Sequence, residues 1–139
     1  MVMLGWFGTR KKTSQVKILV VDDEADLVST IAYRLRFANC HVVTASNGQE
    51  GLERAAAEKP DLILLDTNMP GMNGHEMLEH LRADATLRSI PVIMLTSRCE
   101  AQDIAAASAR GVADYVTKPF EFAQLMEKIQ AALQGRRQE

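Results

Sequence analysis

Cysteine is scarce in this chain: there are two in 139 residues, Cys40 and Cys99, and no C-x-x-C pair. That excludes a disulfide framework and a thiolate metal site, and both thiols read as reduced, as in a cytosolic protein. Histidine is as sparse, with three residues at positions 41, 75 and 80 and no zinc-ligand spacing. No apolar run approaches the roughly 18 residues of a membrane span. Neither charge dominates: 16 basic and 18 acidic residues leave a net charge of -2, with no pull toward nucleic acid or anionic lipid. The apolar N-terminus, Met1 to Gly8, is followed rather than preceded by its basic cluster Arg10, Lys11, Lys12, the reverse of a secretory signal. A cytoplasmic protein is expected.

What is present is ordinary for a globular domain. Hydrophobic residues make up 47% and charged residues 24%, which excludes a disordered or collagen-like chain. The length argues for one domain, able to bury about two-thirds of its unfolded surface without staples.

From Val16 onward, short apolar runs alternate with amphipathic stretches. Val16 to Val21 is short, β-branched and closed by Asp22-Asp23, as a strand covered on both faces should be. Leu27, Val28, Ile31 and Leu35 then recur at helical spacing, with Asp23 or Glu24 placed to cap the start. His41 to Ala45 predicts a second strand, and Asn47 caps a helix through Leu52, Ala55 and Ala56 that stops before Pro60. Leu62 to Leu65, ending on Asp66, is the third strand. A Pro/Gly-rich loop, Met69 to Gly74, leads to a helix with Met77, Leu78 and Leu81 on one face. Pro91 to Leu95 makes the fourth strand, ending on Thr96 and Ser97. An alanine-rich helix follows, near Ala101 to Arg110, and stops at Gly111. Tyr115 to Thr117 is the fifth strand, and the last helix carries Phe122, Leu125, Met126, Ile129 and Leu133. Five strand–helix units in alternation predict an α/β fold: a doubly wound parallel sheet with five helices over both faces. Residues 16–133 form the domain, with an N-terminal extension at 1–15 and a polar tail at 134–139.

In an open α/β sheet, ligands bind beyond the carboxyl ends of the strands. Those ends carry Asp22 and Asp23, Asp66, Thr96 and Lys118. Three carboxylates on one edge repel one another unless a cation sits among them, and hard oxygen donors suit Mg²⁺. The edge reads as built for a metal and a phosphoryl group. Any member alone has a plainer reading: a helix cap for Asp22-Asp23, a backbone-bonded hydroxyl for Thr96, a solvated loop residue for Lys118. The inference rests on the set.

The chain resembles the receiver domain of bacterial two-component response regulators across roughly residues 16–133. The resemblance is carried by Val20-Val21-Asp22-Asp23-Glu24, Leu65-Asp66-Thr67-Asn68-Met69-Pro70-Gly71-Met72-Asn73-Gly74, Leu95-Thr96-Ser97 and Asp114-Tyr115-Val116-Thr117-Lys118-Pro119-Phe120, each at a predicted strand end. It implies the flavodoxin-like (βα)5 arrangement with strand order 2-1-3-4-5. It implies Asp66 as the phosphoacceptor, loaded from a histidine kinase or histidine phosphotransfer protein. Mg²⁺ would be bound by Asp23, Asp66 and the Asn68 backbone carbonyl, with Asp22 acting through water. By the same resemblance Lys118 pairs with a phosphoryl oxygen, and its bond to Pro119 is cis. The resemblance further implies that Thr96 and Tyr115 form a two-state switch reshaping the face of the fourth helix, fifth strand and fifth helix for a downstream protein. By the same resemblance Asn68 and Arg98 would flank the attacking water and tune the phosphorylated state to an intermediate lifetime, and the chain would be a monomer or a phosphorylation-linked dimer.

The same motifs count against an aspartate-nucleophile phosphohydrolase of the haloacid dehalogenase kind, which needs a second acid where Asn68 stands. Enzymatic activity is thus expected only on the chain's own aspartate. A module that is never phosphorylated would not need Thr96 and Lys118 beside the acids. No helix-turn-helix or basic region follows Leu133, so no direct nucleic-acid binding is expected. His75 and His80 read as surface residues, and Met69, Met72 and Met77 as packing. Trp6 and Phe7 lie ahead of the domain and read as a loose tail, the alternative being a weak membrane or partner anchor.

Overall fold

The computed structural model describes residues 15–97 and 111–137. The expected helix at Ala101 to Arg110, together with Trp6, Phe7, Arg98 and Cys99, lies outside the described residues. Five parallel strands form one sheet: β1 (Lys17–Val21), β2 (His41–Ala45), β3 (Leu62–Asp66), β4 (Val92–Thr96) and β5 (Asp114–Thr117), in the order β2-β1-β3-β4-β5. Four helices are described: α1 (Ala25–Phe37), α2 (Gly48–Glu58), α3 (Gly74–Ala83) and α4 (Phe122–Arg137). The last runs four residues past Leu133. Among the described residues, no helix is long and apolar enough to cross a membrane.

The near-continuous apolar runs are explained by burial on both faces. Every residue of β3 and β4 is buried. Alternate side chains of β1 enter two separate apolar clusters. Ile18 and Val20 pack with Ile31 and Leu35 of α1 and Leu125, Met126, Ile129 and Leu133 of α4. Leu19 and Val21 pack with Ala55 of α2 and Met77, Leu78 and Leu81 of α3. Each large aliphatic side chain buried in this way stabilises the fold by about 1.5–3 kcal/mol. Met69 and Met77 are buried and Met72 packs against the same cluster, as packing residues should.

Helix ends follow local chemistry. Asn47 Oδ1 accepts from the Glu50 N–H at 2.8 Å to start α2, and Lys59 ends it in the left-handed region ahead of Pro60. Asn73 starts α3 in a reciprocal capping box. Its Oδ1 accepts from Glu76 N–H at 2.9 Å, and its own N–H donates to Glu76 Oε1 at 2.9 Å. At α1 the expected cap is corrected. Glu24 occupies the N-cap position, but its side chain makes no capping hydrogen bond. A second correction concerns His75, which is half-buried, with a buried Nδ1 that has no hydrogen-bond partner; His80 is exposed. Cys40 is buried.

Strand order reverses between β1 and β3. The register fixes what meets there: Val21 pairs with Leu65, Asp66 with Leu95, and Thr96 with Thr117. Asp22, Asp66, Thr96 and Lys118 therefore follow one another across a single edge.

Candidate functional site

Each acid at this edge is placed by backbone. The Asp22 N–H donates to Ala45 O at 3.1 Å, extending β1 toward β2 by one residue, and Asp66 closes β3. Asp22 and Asp66 are buried, whereas Asp23 is exposed. One carboxylate oxygen from each of the three lies within 4.8 Å of the others. The grouping expected from the strand ends is thus present, and its donors are all hard oxygens.

The electrostatics follow from that crowding. Burial and then the negative charge of Asp22 raise the Asp66 carboxyl to about 6. The Asn68 N–H, 3.3 Å from Asp66 Oδ1, and the Lys118 ammonium pull the other way without prevailing. A buried acid held this high is one whose charge lacks sufficient compensation. That is a physical reason to read the cluster as a seat for a cation rather than as a structural ion pair.

Lys118, directly after β5, reaches two of the three acids and Glu24 besides. Its Nζ lies 3.2 Å from Asp22 Oδ2, 3.5 Å from Asp66 Oδ1 and 2.7 Å from Glu24 Oε1. Burial opposes its charge, but Glu24, Asp22 and Asp66 outweigh that and raise its pKa. The Lys118 N–H donates to Thr96 O at 2.6 Å, tying the lysine to the end of β4, and the Lys118–Pro119 peptide is cis.

Thr96 is buried at the end of β4, and Tyr115 is half-buried in β5. Because Met94 pairs with Tyr115 and Thr96 with Thr117, Thr96 and Tyr115 are diagonal neighbours on one face of the sheet. Asn68 is exposed beside Asp66. Arg98, the other expected neighbour of the attacking water, lies outside the described residues.

Two participants escaped the sequence reading. Glu24 is the shortest ion-pair partner of Lys118; the available signal was a glutamate at an N-cap, where shorter side chains are preferred. Gly74, beginning α3, is pressed against the backbone of Asp66 and Thr67, and its place directly after the Asn73 cap was the signal for it.

Residues 18–130 match the family described as the response regulator receiver domain. The alkaline phosphatase synthesis transcriptional regulatory protein PhoP of Bacillus subtilis (strain 168) is 41% identical over 117 residues, covering 84% of this chain and 48% of that protein. The chain thus spans about half the length of such relatives. Protein PilH of Pseudomonas aeruginosa is 36% identical over 119 residues, covering 86% of this chain and 98% of PilH. A CheY-like receiver domain protein from Methanospirillum hungatei JF-1 superposes with a TM-score of 0.84 at 28% identity, covering 90% of this chain and 98% of that one.

Proposed function

The chain belongs to the receiver domain family of the response regulators of two-component signalling, and on that premise we propose that it is a phosphorylatable switch loaded on Asp66. The observation that carries this reading is the meeting of the Asp22, Asp23 and Asp66 carboxylates within 4.8 Å, with the Lys118 ammonium 3.5 Å from Asp66.

The donor is a phosphohistidine on a histidine kinase or histidine phosphotransfer protein. An Asp66 carboxylate oxygen attacks phosphorus, the N–P bond breaks, and its electron pair stays on the imidazole nitrogen, leaving an acyl phosphate. Asp23, Asp66 and the Asn68 carbonyl would hold Mg²⁺, with Asp22 through water, and the ion supplies charge neutralisation for the transferring phosphoryl group. Asp66 is held on the last residue of a fully buried strand, so its carboxylate is positioned before the donor arrives. Lys118 pairs with a phosphoryl oxygen. Thr96 donates its hydroxyl to the same group, and Tyr115 turns into the space that Thr96 leaves. That coupling reshapes the surface beside β5 and α4, which controls a downstream protein.

No external substrate is turned over in this scheme. Asn68 stands two residues after the nucleophile, where a phosphohydrolase would need an acid. The transcriptional regulatory role in the name of PhoP belongs to that protein, of which the match covers 48%. A cytoplasmic setting fits a chain with two cysteines and a kinase partner.

Intact mass after incubation with Mg²⁺ and acetyl phosphate tests the proposal. One added phosphoryl group is expected on the unaltered chain and none on Asp66→Ala. Absence of an adduct, together with failure to bind beryllofluoride, would exclude the switch and leave an unmodified binding module.

A further inference from the structure

Glu24 is poorly chosen for the position it holds if capping were its task. It is the N-cap of α1, where Ser, Thr, Asp and Asn are favoured because their short side chains reach the free N–H groups of the first turn. Its backbone is fixed: the Glu24 N–H donates to Asp22 Oδ1 at 2.9 Å, and its carbonyl accepts from Val28 N–H at 3.0 Å. Its side chain makes no capping hydrogen bond and turns instead to Lys118, at 2.7 Å. That contact is shorter than the lysine's distances to Asp22 and Asp66. The ammonium that must meet a phosphoryl oxygen on Asp66 is thus most tightly held by a carboxylate outside the acidic cluster.

We propose that Glu24 is a positioning residue that holds Lys118 back while Asp66 is unmodified, so that loading Asp66 requires the Glu24–Lys118 pair to open. This rests on the reading of Asp66 as phosphoacceptor and adds a regulatory element to it. The lysine has carboxylates within reach on two elements, Glu24 at the start of α1 and Asp66 at the end of β3. It touches both at once, with Asp22 3.2 Å away between the two contacts in length, and Glu24 is the nearest of the three. A phosphoryl group brings further negative charge to the Asp66 side and shifts the lysine there, releasing the first turn of α1. The groove beside that turn is lined by Leu27, Arg34, Pro119 and Phe122 together with Glu24 and Lys118 themselves, so the release changes the charge at its rim. Glu24's side chain is 60% exposed, so the restraint is modest: enough to tune loading, too weak to prevent it.

The test compares the full chain with Glu24→Gln in two measurements. The first is beryllofluoride affinity in the presence of Mg²⁺. The variant is expected to bind about two- to fivefold more tightly, the range an exposed ion pair supports. The second is the ¹⁵N resonance of the Lys118 ammonium. Glu24→Gln should move it without beryllofluoride and leave it nearly unmoved with beryllofluoride bound, because by then the lysine has left Glu24. Equal affinities overturn the proposal. Tighter binding with an unmoved lysine resonance also overturns it, since Glu24 would then act only as a repelling charge. If neither protein binds beryllofluoride, the phosphoacceptor reading itself fails and this inference falls with it.

Discussion

Gly74 lies directly against the backbone of Asp66. A Cβ on Gly74 would overlap the Asp66 carbonyl oxygen and come within 2.8 Å of the Thr67 Cα. Both neighbours are backbone atoms at the strand end that carries Asp66, so neither can turn aside as a flexible side chain would. Gly74→Ala is therefore expected to cost about 1–3 kcal/mol, the range for overpacking a tight site. Since the strain falls on Asp66, loading by acetyl phosphate should slow as well. Chemical denaturation and the loading rate measured on one preparation check both; an unchanged midpoint would show that α3 can slide away.

Asp66 carries a pH signature. Its carboxyl is raised to about 6 from 3.8, first by burial and then by Asp22. The native state therefore holds the proton more firmly than the unfolded chain does. Above pH 6 the carboxyl is ionised in both states and the native state bears the penalty; between 6 and 4 that penalty fades. Without Mg²⁺, Asp66→Asn should melt several degrees above the unaltered protein at pH 7.5, a gain of about 1–2 kcal/mol. The gap should close toward pH 4. Circular dichroism melts of the two proteins across that range give the answer.

The same proton competes with the metal. On the proposed ligand set Mg²⁺ takes the ionised carboxylate, so its affinity should fall by about tenfold per pH unit below 6 and level off above it. Calorimetric titration at pH 5, 6 and 7.5 measures this. A pH-independent affinity would mean that Asp66 is not a ligand.

Thr96 and Tyr115 are diagonal on one sheet face, which makes their coupling accessible. The Tyr115 ring resonances should shift when beryllofluoride and Mg²⁺ bind the unaltered protein. In Thr96→Ala the ligand should still bind, more weakly, while the ring shift shrinks or disappears. Equal shifts in both proteins would disconnect the two residues.

The capping box of α3 supports the site from below. Asn73→Ala removes the acceptor for the Glu76 N–H and should cost about 1 kcal/mol. Asn47→Ala at α2, whose cap bonds Glu50 of its own helix, should cost a similar amount. The loading rate should suffer only from the first, because Asn73 immediately precedes Gly74 at the backbone of Asp66.

Much of this architecture was legible from residue patterns, for identifiable reasons. A parallel strand buried on both faces has no polar side to present, so Leu62 to Leu65 and Val92 to Leu95 stand out as unbroken apolar runs that each end abruptly in a polar residue. Asn47 was legible as a cap because capping is local chemistry. Strand order was not contained in the pattern and came with the family motifs, since pairing across the sheet is non-local. Glu24 was misread for a related reason. Its partner Lys118 is 94 residues away, and a local rule can say that a residue precedes a helix but not that its side chain is engaged elsewhere. His75 was placed at the surface on helical spacing alone, which does not show what packs against a helix's first turn.

The two apolar clusters share no side chain, because the sheet's alternation sends neighbouring residues of β1 to opposite layers. The sheet is therefore a partition as well as a scaffold. Substitutions in one layer, such as Ile129→Val, should combine additively with substitutions in the other, such as Leu78→Ala, while pairs within a layer should not. One side of such a molecule can be rewritten over evolutionary time, acquiring new helix surfaces and new clients, without renegotiating the packing of the other. The loops at the strand ends, where both layers meet, are the part that cannot drift so freely.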